Sequence, residues 1–527
     1  MKTLETKITR FDGAMSDDPR EPSGIMGSLL KHFDCFSHPE KLTPYRSTEA
    51  DTATNVSATD AEQYDIRDFQ LGSDGKLYGL GKNGSGYPKV LKKTDPTTGN
   101  WLSSNGGNAA TAEGEGNAAR ISGCFIEWQG AWWFFQGTNQ IAKVVIATGV
   151  ITNSVATVGA TITSVAQGVI ANNTLYLFYN NRVVTVSAAE AVSDNVFTTI
   201  PSDMRITSVA RYGTYLGIGC AYGTSAITKP FGRSIVVIWD MVQTTTASDV
   251  IDWGEGLLRV LGNIEGRLCG VSDKYLTSSL GLTRGSMVIR LWAGGTPQVM
   301  KEVVANQTVS LDATAFPNTV TRFPSNVVIK NNKMYWVASV PFGLSTSTES
   351  TFHLGIWVFG RKNANSNFAL AVDYVEEAVD AAAFYINSFG AAGDYWFINY
   401  GSGGKVTKTD DAANYTITSI YESQIFNGGD LASYKSLVDV TVGTVYLPTA
   451  GQVVCKYRIN NETSWTTIFT NTTDNSISHS ANNIESSGDP LPKYYKEIQF
   501  RIESTGGAEI TELSFNEELL GRKYEAA

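Results

Sequence analysis

Trp128-Gln129-Gly130-Ala131-Trp132-Trp133-Phe134-Phe135-Gln136-Gly137, or WQGAWWFFQG, is the stretch on which the fold turns. Glycine tolerates the positive φ of a two-residue hairpin turn, so Gln129-Gly130 reads as a turn between two strands. In an extended strand Trp132 and Phe134 face one way and Trp133 and Phe135 the other, so the strand after the turn is apolar on both faces. Such a strand belongs inside a stack of sheets. The same run, with Phe125 and Trp128, could instead offer stacking platforms for sugar rings or bases; core packing is the reading that uses both faces.

The signature recurs: a strand, a Gly or Asn turn, then a large apolar or aromatic residue two places on. It appears as Gly75 to Leu77, Gly130 to Trp132, Asn173 to Leu175, Gly213 to Tyr215, Gly266 to Leu268, Asn332 to Met334 and Gly393 to Tyr395. Successive turns lie from 40 residues apart (Asn173 to Gly213) to 66 apart (Gly266 to Asn332), the range in which four-stranded propeller blades repeat. VLKKTDPTTGNW (90–101) and AKVVIATGVIT (142–152) read as outer hairpins of such blades. Radial packing buries both faces of each small sheet and leaves only short edges. The expected fold is therefore all-β, a seven-bladed β-propeller with an extended N-terminal arm and a C-terminal β-sandwich. A sandwich pair or solenoid of irregular hairpins is the alternative.

Composition agrees. The 527 residues include 50 glycines and only 17% charged side chains, and long helical patterns are nearly absent. With 51 acidic against 41 basic residues the net charge is −10, which disfavours coating nucleic acid but suits a wall past which DNA slides. No sequence-specific nucleic-acid binding is expected. The charged N-terminus carries no apolar leader and no run of about 18 apolar residues occurs, so neither secretion nor a membrane span is expected. Five scattered cysteines, Cys35, Cys124, Cys220, Cys269 and Cys455, read as reduced core thiols. The sequons at Asn306 and Asn471 then carry no meaning.

The expected boundaries are an arm over 1–62, a propeller over 63–416 and a sandwich over 417–527. Pro19, Pro22, Pro39 and Pro44 limit the arm to a helical turn or two around Gly24–Phe33, and so short an arm must lie against the rest of the chain or a neighbour. In the last segment Val453, Cys455, Tyr457 and Ile459 alternate against Lys456 and Arg458, with a turn at Asn460-Asn461 and a strand resuming at Trp465. Ile498, Phe500 and Ile502 alternate up to a turn at Gly506-Gly507, after which apolar parity slips to Leu513 and Phe515, predicting a bulge near Thr511-Glu512.

Candidate chemistry is sparse. His32, Asp34, Cys35 and His38 in KHFDCFSHPE could supply zinc ligands, but an arm pressing Phe33, Cys35 and Phe36 into a groove explains the same residues. Asp252 and Glu255 flank Trp253 and are a possible carboxylate pair; Asp240, Glu376 and Glu377 are scattered. The repeated S-x-D-x-G-x-T-W turn of sialidases does not occur. G-x-S-x-G, H-E-x-x-H and G-x-x-x-x-G-K-[ST] are also missing. GLGKNGSG (79–86) satisfies G-x-G-x-x-G, yet Pro88 and no amphipathic helix follow it, so it reads as a loop between strands. No cofactor, catalytic residue or ligand-binding residue is assigned.

ITRFDGAMSDDPREP (8–22) and LLKHFDCFSHPEKLTPYRSTEAD (29–51) resemble the opening of virion proteins from tailed bacteriophages, and KEIQFRIESTGGAEITELSFNEE (496–518) resembles their C-terminal sandwich. The resemblance implies a tail protein assembled in the host cytoplasm, with a homo-oligomeric ring, six-fold by expectation, as nozzle, hub or tail-tip. Its partners would be other tail or neck proteins and fibres, and the arm would clasp a neighbouring subunit. The contrasting expectation is a receptor-binding, glycan-binding or glycan-cleaving propeller.

Overall fold

The computed structural model describes residues 3–11, 14–15, 26–38, 40–51, 65–93, 95, 99–104, 106, 113–222, 233–277, 282–304, 309–310, 327–338, 355–362, 366–375, 386–400, 405–410, 412, 414–460, 462–482 and 491–521. Among these every regular element is a strand. The chain forms two compact units, one of residues 48–354 and 378–409, the other of residues 1–47, 355–377 and 410–527. The units interleave in sequence.

The first unit is a β-propeller. All seven expected hairpins form, and each turn residue named above has the positive φ that selects Gly or Asn, from 54° at Asn173 to 75° at Gly266. Four-stranded antiparallel sheets follow in order: Asp68–Leu71 to Trp101–Ser103, Arg120–Trp128 to Ile151–Thr157, Val165–Ala171 to Val192–Ser193, and Met204–Tyr212 to Asp249–Glu255. The fifth runs from Leu257–Ile264 to Gln298–Val304 and gains a short strand, Val309–Ser310. The sixth position is the hairpin Val328–Lys330 with Lys333–Ala338. The seventh sheet joins Ile386–Ala392, Tyr395–Tyr400 and Lys405–Thr409 to a strand from far upstream, Thr48–Ala50.

Each innermost strand lies beside the innermost strand or hairpin of the next blade, and Ile386–Ala392 returns to Asp68–Leu71, closing the ring. Phe69, Trp101, Leu77 and Leu91 of the first blade share a core with Ala392, Phe397 and Val406 of the seventh. Gly390 permits this approach: a Cβ there would lie 2.3 Å from the Cβ of Phe69. Gly390→Val is expected to destabilise the propeller by about 1–3 kcal/mol through overpacking. Denaturant unfolding measures it, and an unchanged midpoint would mean that the two strands do not meet as described.

The second unit is a sandwich built from both ends of the chain. One sheet orders Thr3–Ile8, Ile510–Gly521, Tyr434–Thr444 and Ser478–Asn482, with Lys493–Tyr495 also on Tyr434–Thr444. The other runs Gly355–Gly360, Ala369–Val375, Met26–Lys31, Ser419–Ser423, Ile498–Thr505, Gln452–Ile459, Thr466–Asn471. Phe515 from the first sheet meets Phe500 of the second at 4.7 Å, and Val453, Cys455, Phe500 and Ile502 are fully buried. The expected bulge is present: Gly443 pairs with Glu512 and Thr444 with Ile510, leaving Thr511 without a register partner on that strand. The helical turn expected around Gly24–Phe33 is corrected: Met26–Lys31 is a strand, held between Ser419–Ser423 and Ala369–Val375. Its partners are more than 300 residues away along the chain, and no local pattern announces them.

Candidate functional site

Three places concentrate polar chemistry that the sequence did not single out. The first is the propeller's closure. Asp51, just after the closing strand, donates its backbone N–H to the Val406 carbonyl at 2.9 Å. Its carboxylate accepts from Lys93 Nζ at 2.5 Å and from Trp101 Nε1 at 2.8 Å. The Lys93 and Asp51 side chains are 1% and 3% exposed. Lys93 Nζ also lies 5.6 Å from the Trp101 ring centre and 5.5 Å from that of Phe397. One carboxylate from the N-terminal segment thus ties the first blade to the seventh.

Between the first two blades, buried Asp65 holds Arg67 at 2.8 Å and Arg120 at 2.9 Å. Asp68 accepts from the Gly123 N–H at 3.1 Å. Burial pushes the Asp68 carboxyl up to about 6, against the opposing pull of that N–H and of Arg120 and Arg67. A raised acid in a cluster is the usual mark of a working site, but here the Arg120–Asp65 and Gly123–Asp68 bonds join neighbouring blades, which is a structural tie.

The third place is the clasp of the two chain ends. Thr3–Ile8 pairs antiparallel with Ile510–Gly521, from Thr3 opposite Glu518 to Ile8 opposite Leu513. Glu509 accepts from Lys41 Nζ at 2.9 Å and from Thr43 Oγ1 at 2.9 Å, while Leu42 and Ile510 exchange backbone hydrogen bonds of 2.8 and 3.0 Å.

The sequence candidates for chemistry are placed as follows. His32 is fully buried, with Nδ1 3.1 Å from the Asp373 carbonyl oxygen. Cys35 is buried and takes part in no disulfide. His38 is exposed and sits 3.5 Å from Glu40, and Asp34 caps the N–H groups of Phe36 and Ser37. No group of three or more His, Cys, Asp or Glu among the described residues is arranged to hold a metal.

Burial, with Lys31 nearby, pushes the His32 imidazole down to about 3, against its bond to the Asp373 carbonyl. The unfolded chain therefore binds a proton there that the folded chain does not. This contribution to stability is complete above pH 6.5 and is lost as pH falls toward 3, with a slope of up to about 1.4 kcal/mol per pH unit. His32→Gln is expected to flatten the stability profile by that slope within this window. Parallel profiles for the two proteins would overturn the assignment.

Asp252, one of the two candidate carboxylates, is engaged by Arg233. Partial desolvation of Asp252 is outweighed by Arg233, which pairs with it, and by the Gly254 N–H, so its carboxyl sits below the ordinary range. A glycosidase acid needs the opposite shift. Glu376 and Glu377 lie outside the described residues. Asp240 caps the N–H groups of Val242 and Gln243 at a turn. GLGKNGSG joins two antiparallel strands, Leu77–Lys82 and Pro88–Lys93, and Asn83 Oδ1 accepts from the Ser85 and Tyr87 N–H groups. There is no helix start for a pyrophosphate to rest on.

The tryptophans are core. Ten of the eleven in the chain are buried, and the eleventh, Trp465, lies half-buried with the guanidinium of Arg458 at 4.5 Å and that of Arg501 at 5.8 Å. Cys124 is pushed up to about 12 by burial, and burial also raises Cys220, Cys269 and Cys455, so these thiols stay protonated and inert. A cavity of about 180 Å³ in the second unit is lined by Arg458, Asn460, Glu462, Glu497 and Gln499. It is smaller than the roughly 300–1,000 Å³ of typical ligand sites. Its Gln499 already bonds Arg458, Ser28 and Ser423.

No family model matches the chain, and no curated protein matches it. Solved structures resemble it at the level of fold. The Neurospora crassa Pan2 WD40 domain aligns at 7% identity with a TM-score of 0.41, over 70% of this chain and 95% of that one. YCF48 bound to D1 peptide aligns at 10% and 0.40, over 72% and 97%. An exo-β-1,3-galactanase from Phanerochaete chrysosporium aligns at 11% and 0.31, over 89% and 99%. The propeller assignment rests on the seven hairpins and the closed ring, and no activity is taken from these likenesses.

Proposed function

We propose that this chain is a non-enzymatic structural component of a tailed-bacteriophage virion, a ring-forming tail protein. Its propeller serves as a rigid wall or docking block, and its terminal sandwich engages neighbouring tail proteins or fibres. The observation that carries this reading is the clasp: the two sequence ends that resemble virion proteins, nearly 500 residues apart, form one module through paired strands and the Lys41–Glu509 contact. Segments selected together for one assembly role are expected to fold together. The acidic balance of −10 is compatible with DNA moving past the wall, since such a surface does not hold phosphate.

Native mass measurement of the purified full chain tests the ring, with six copies expected. A monomer at every concentration and in the presence of tail components would count against it. The glycan-binding or glycan-cleaving alternative would use exposed aromatic platforms beside a raised carboxyl. The buried tryptophans and the lowered Asp252 do not favour it, and a glycan array with a polysaccharide-degradation assay separates the two readings.

A further inference from the structure

Three Asn-Gly pairs occur in the sequence, at Asn83, Asn105 and Asn427, and Asn105 lies outside the described residues. The other two sit in differently built turns. Asn427 opens the turn Asn427-Gly428-Gly429-Asp430, closed by the Asp430 N–H on the Asn427 carbonyl at 3.1 Å. Gly428 and Gly429 are exposed, with φ of 58° and 76°. The Gly429 N–H donates to Asn427 Oδ1 at 2.9 Å. Among the described residues the Asn427 Nδ2 makes no hydrogen bond. The side-chain amide is thus polarised at its oxygen and free at its nitrogen.

We propose that Asn427 is a site of spontaneous deamidation promoted by this turn. The backbone nitrogen of Gly428 attacks Asn427 Cγ, forming the N–Cγ bond. The Cγ–Nδ2 bond breaks, and ammonia leaves with the proton that Gly428 gives up. Water then opens the resulting succinimide at either carbonyl, giving aspartate or isoaspartate at position 427. The Gly429 N–H points at the oxygen on which negative charge develops during the attack, as an oxyanion donor does. No side chain on Gly428 shields the attacking nitrogen.

Asn83 has the same following glycine and the same donor geometry from Ser85, at 3.0 Å, but its amide is fixed at both ends. Oδ1 also accepts from the Tyr87 N–H at 3.0 Å, and Nδ2 donates to Glu115 Oε2 at 3.0 Å. Glu115 in turn pairs with buried Lys89 at 3.1 Å. The Asn83 amide must break a charge-assisted bond before its Cγ can turn toward Gly84. Deamidation there would also set a second carboxylate against Glu115, whereas at Asn427 no carboxylate is hydrogen-bonded to the amide.

The modification has a structural consequence. The Asn427 turn leads into the segment whose Asp430 and Ser433 carbonyls, with that of Lys496, accept from the buried Lys435 Nζ at 2.8, 3.2 and 3.0 Å. Isoaspartate adds a methylene to the main chain at the start of that segment and so loosens the clasp on Lys435.

The test incubates the full chain, folded and urea-unfolded, in mildly alkaline buffer. Peptide mass spectrometry follows the one-dalton gain at Asn427 and Asn83 over time, and isoaspartyl methyltransferase labelling identifies the rearranged product. In the folded chain Asn427 is expected to react at least about tenfold faster than Asn83, the effect of one charge-assisted bond that must break. In the unfolded chain, where only the shared Asn-Gly sequence acts, the two rates should converge. Equal rates in the folded chain, no mass gain at Asn427, or a difference that persists in urea would each overturn the proposal.

Discussion

Asp51→Ala is expected to lower the stability of the propeller by about 3–5 kcal/mol, because it removes the carboxylate with which the buried Lys93 ammonium pairs. Only 1% of the Lys93 side chain is exposed, so water cannot replace the lost carboxylate without opening the contact between the first and seventh blades. The substitution also removes the acceptor of Trp101 Nε1. The double variant Asp51→Leu with Lys93→Met, which removes both charges and keeps bulk, should recover most of the loss, since a buried pair costs nearly as much to desolvate as it returns. Denaturant unfolding reads the free energy, and amide hydrogen exchange over Thr48–Ala50 and Lys405–Thr409 locates it. A loss below about 1 kcal/mol, the size of an exposed ion pair, would mean that the pair does not hold the ring shut.

Trp132→Ala should cost a similar amount, about 3–5 kcal/mol, by the loss of a large buried ring and the cavity left behind. Trp132 stacks on Phe125 with centroids 4.3 Å apart and packs against Tyr78 of the preceding blade at 4.8 Å. The deletion therefore empties the contact between two blades. A surface platform for sugar rings would behave differently: its removal would abolish binding and leave the unfolding midpoint unchanged. That outcome would reverse the core assignment of the whole aromatic run.

The turns made the propeller readable. Positive φ at Gly75, Gly130, Asn173, Gly213, Gly266, Asn332 and Gly393 favours Gly or Asn at each position, so backbone geometry is written into residue type. Parity did the same for the sandwich, where the slip after Ile510 marked the Thr511 bulge. What could not be read was long-range closure. Thr48–Ala50 is three residues with no periodicity, and its partner, Lys405–Thr409, lies more than 350 residues downstream. Asp51 and Lys93 are ordinary charged residues in sequence; only the fold shows that both are buried. Met26–Lys31 likewise gains its strand character from partners at 369–375 and 419–423. For the candidate site, the sequence directed attention to His32, Cys35 and His38, whose spacing suits a metal, while the structure places His32 in a core and His38 at the surface.

The proposed role in a virion is tested most directly by quantitative mass spectrometry of density-purified tailed particles from cells that express this chain, combined with immunogold labelling. The account predicts the chain in every particle, at a fixed copy number that is a multiple of the ring symmetry, with gold confined to the tail. Its absence from purified particles, with the chain recovered only as free protein, would contradict the account.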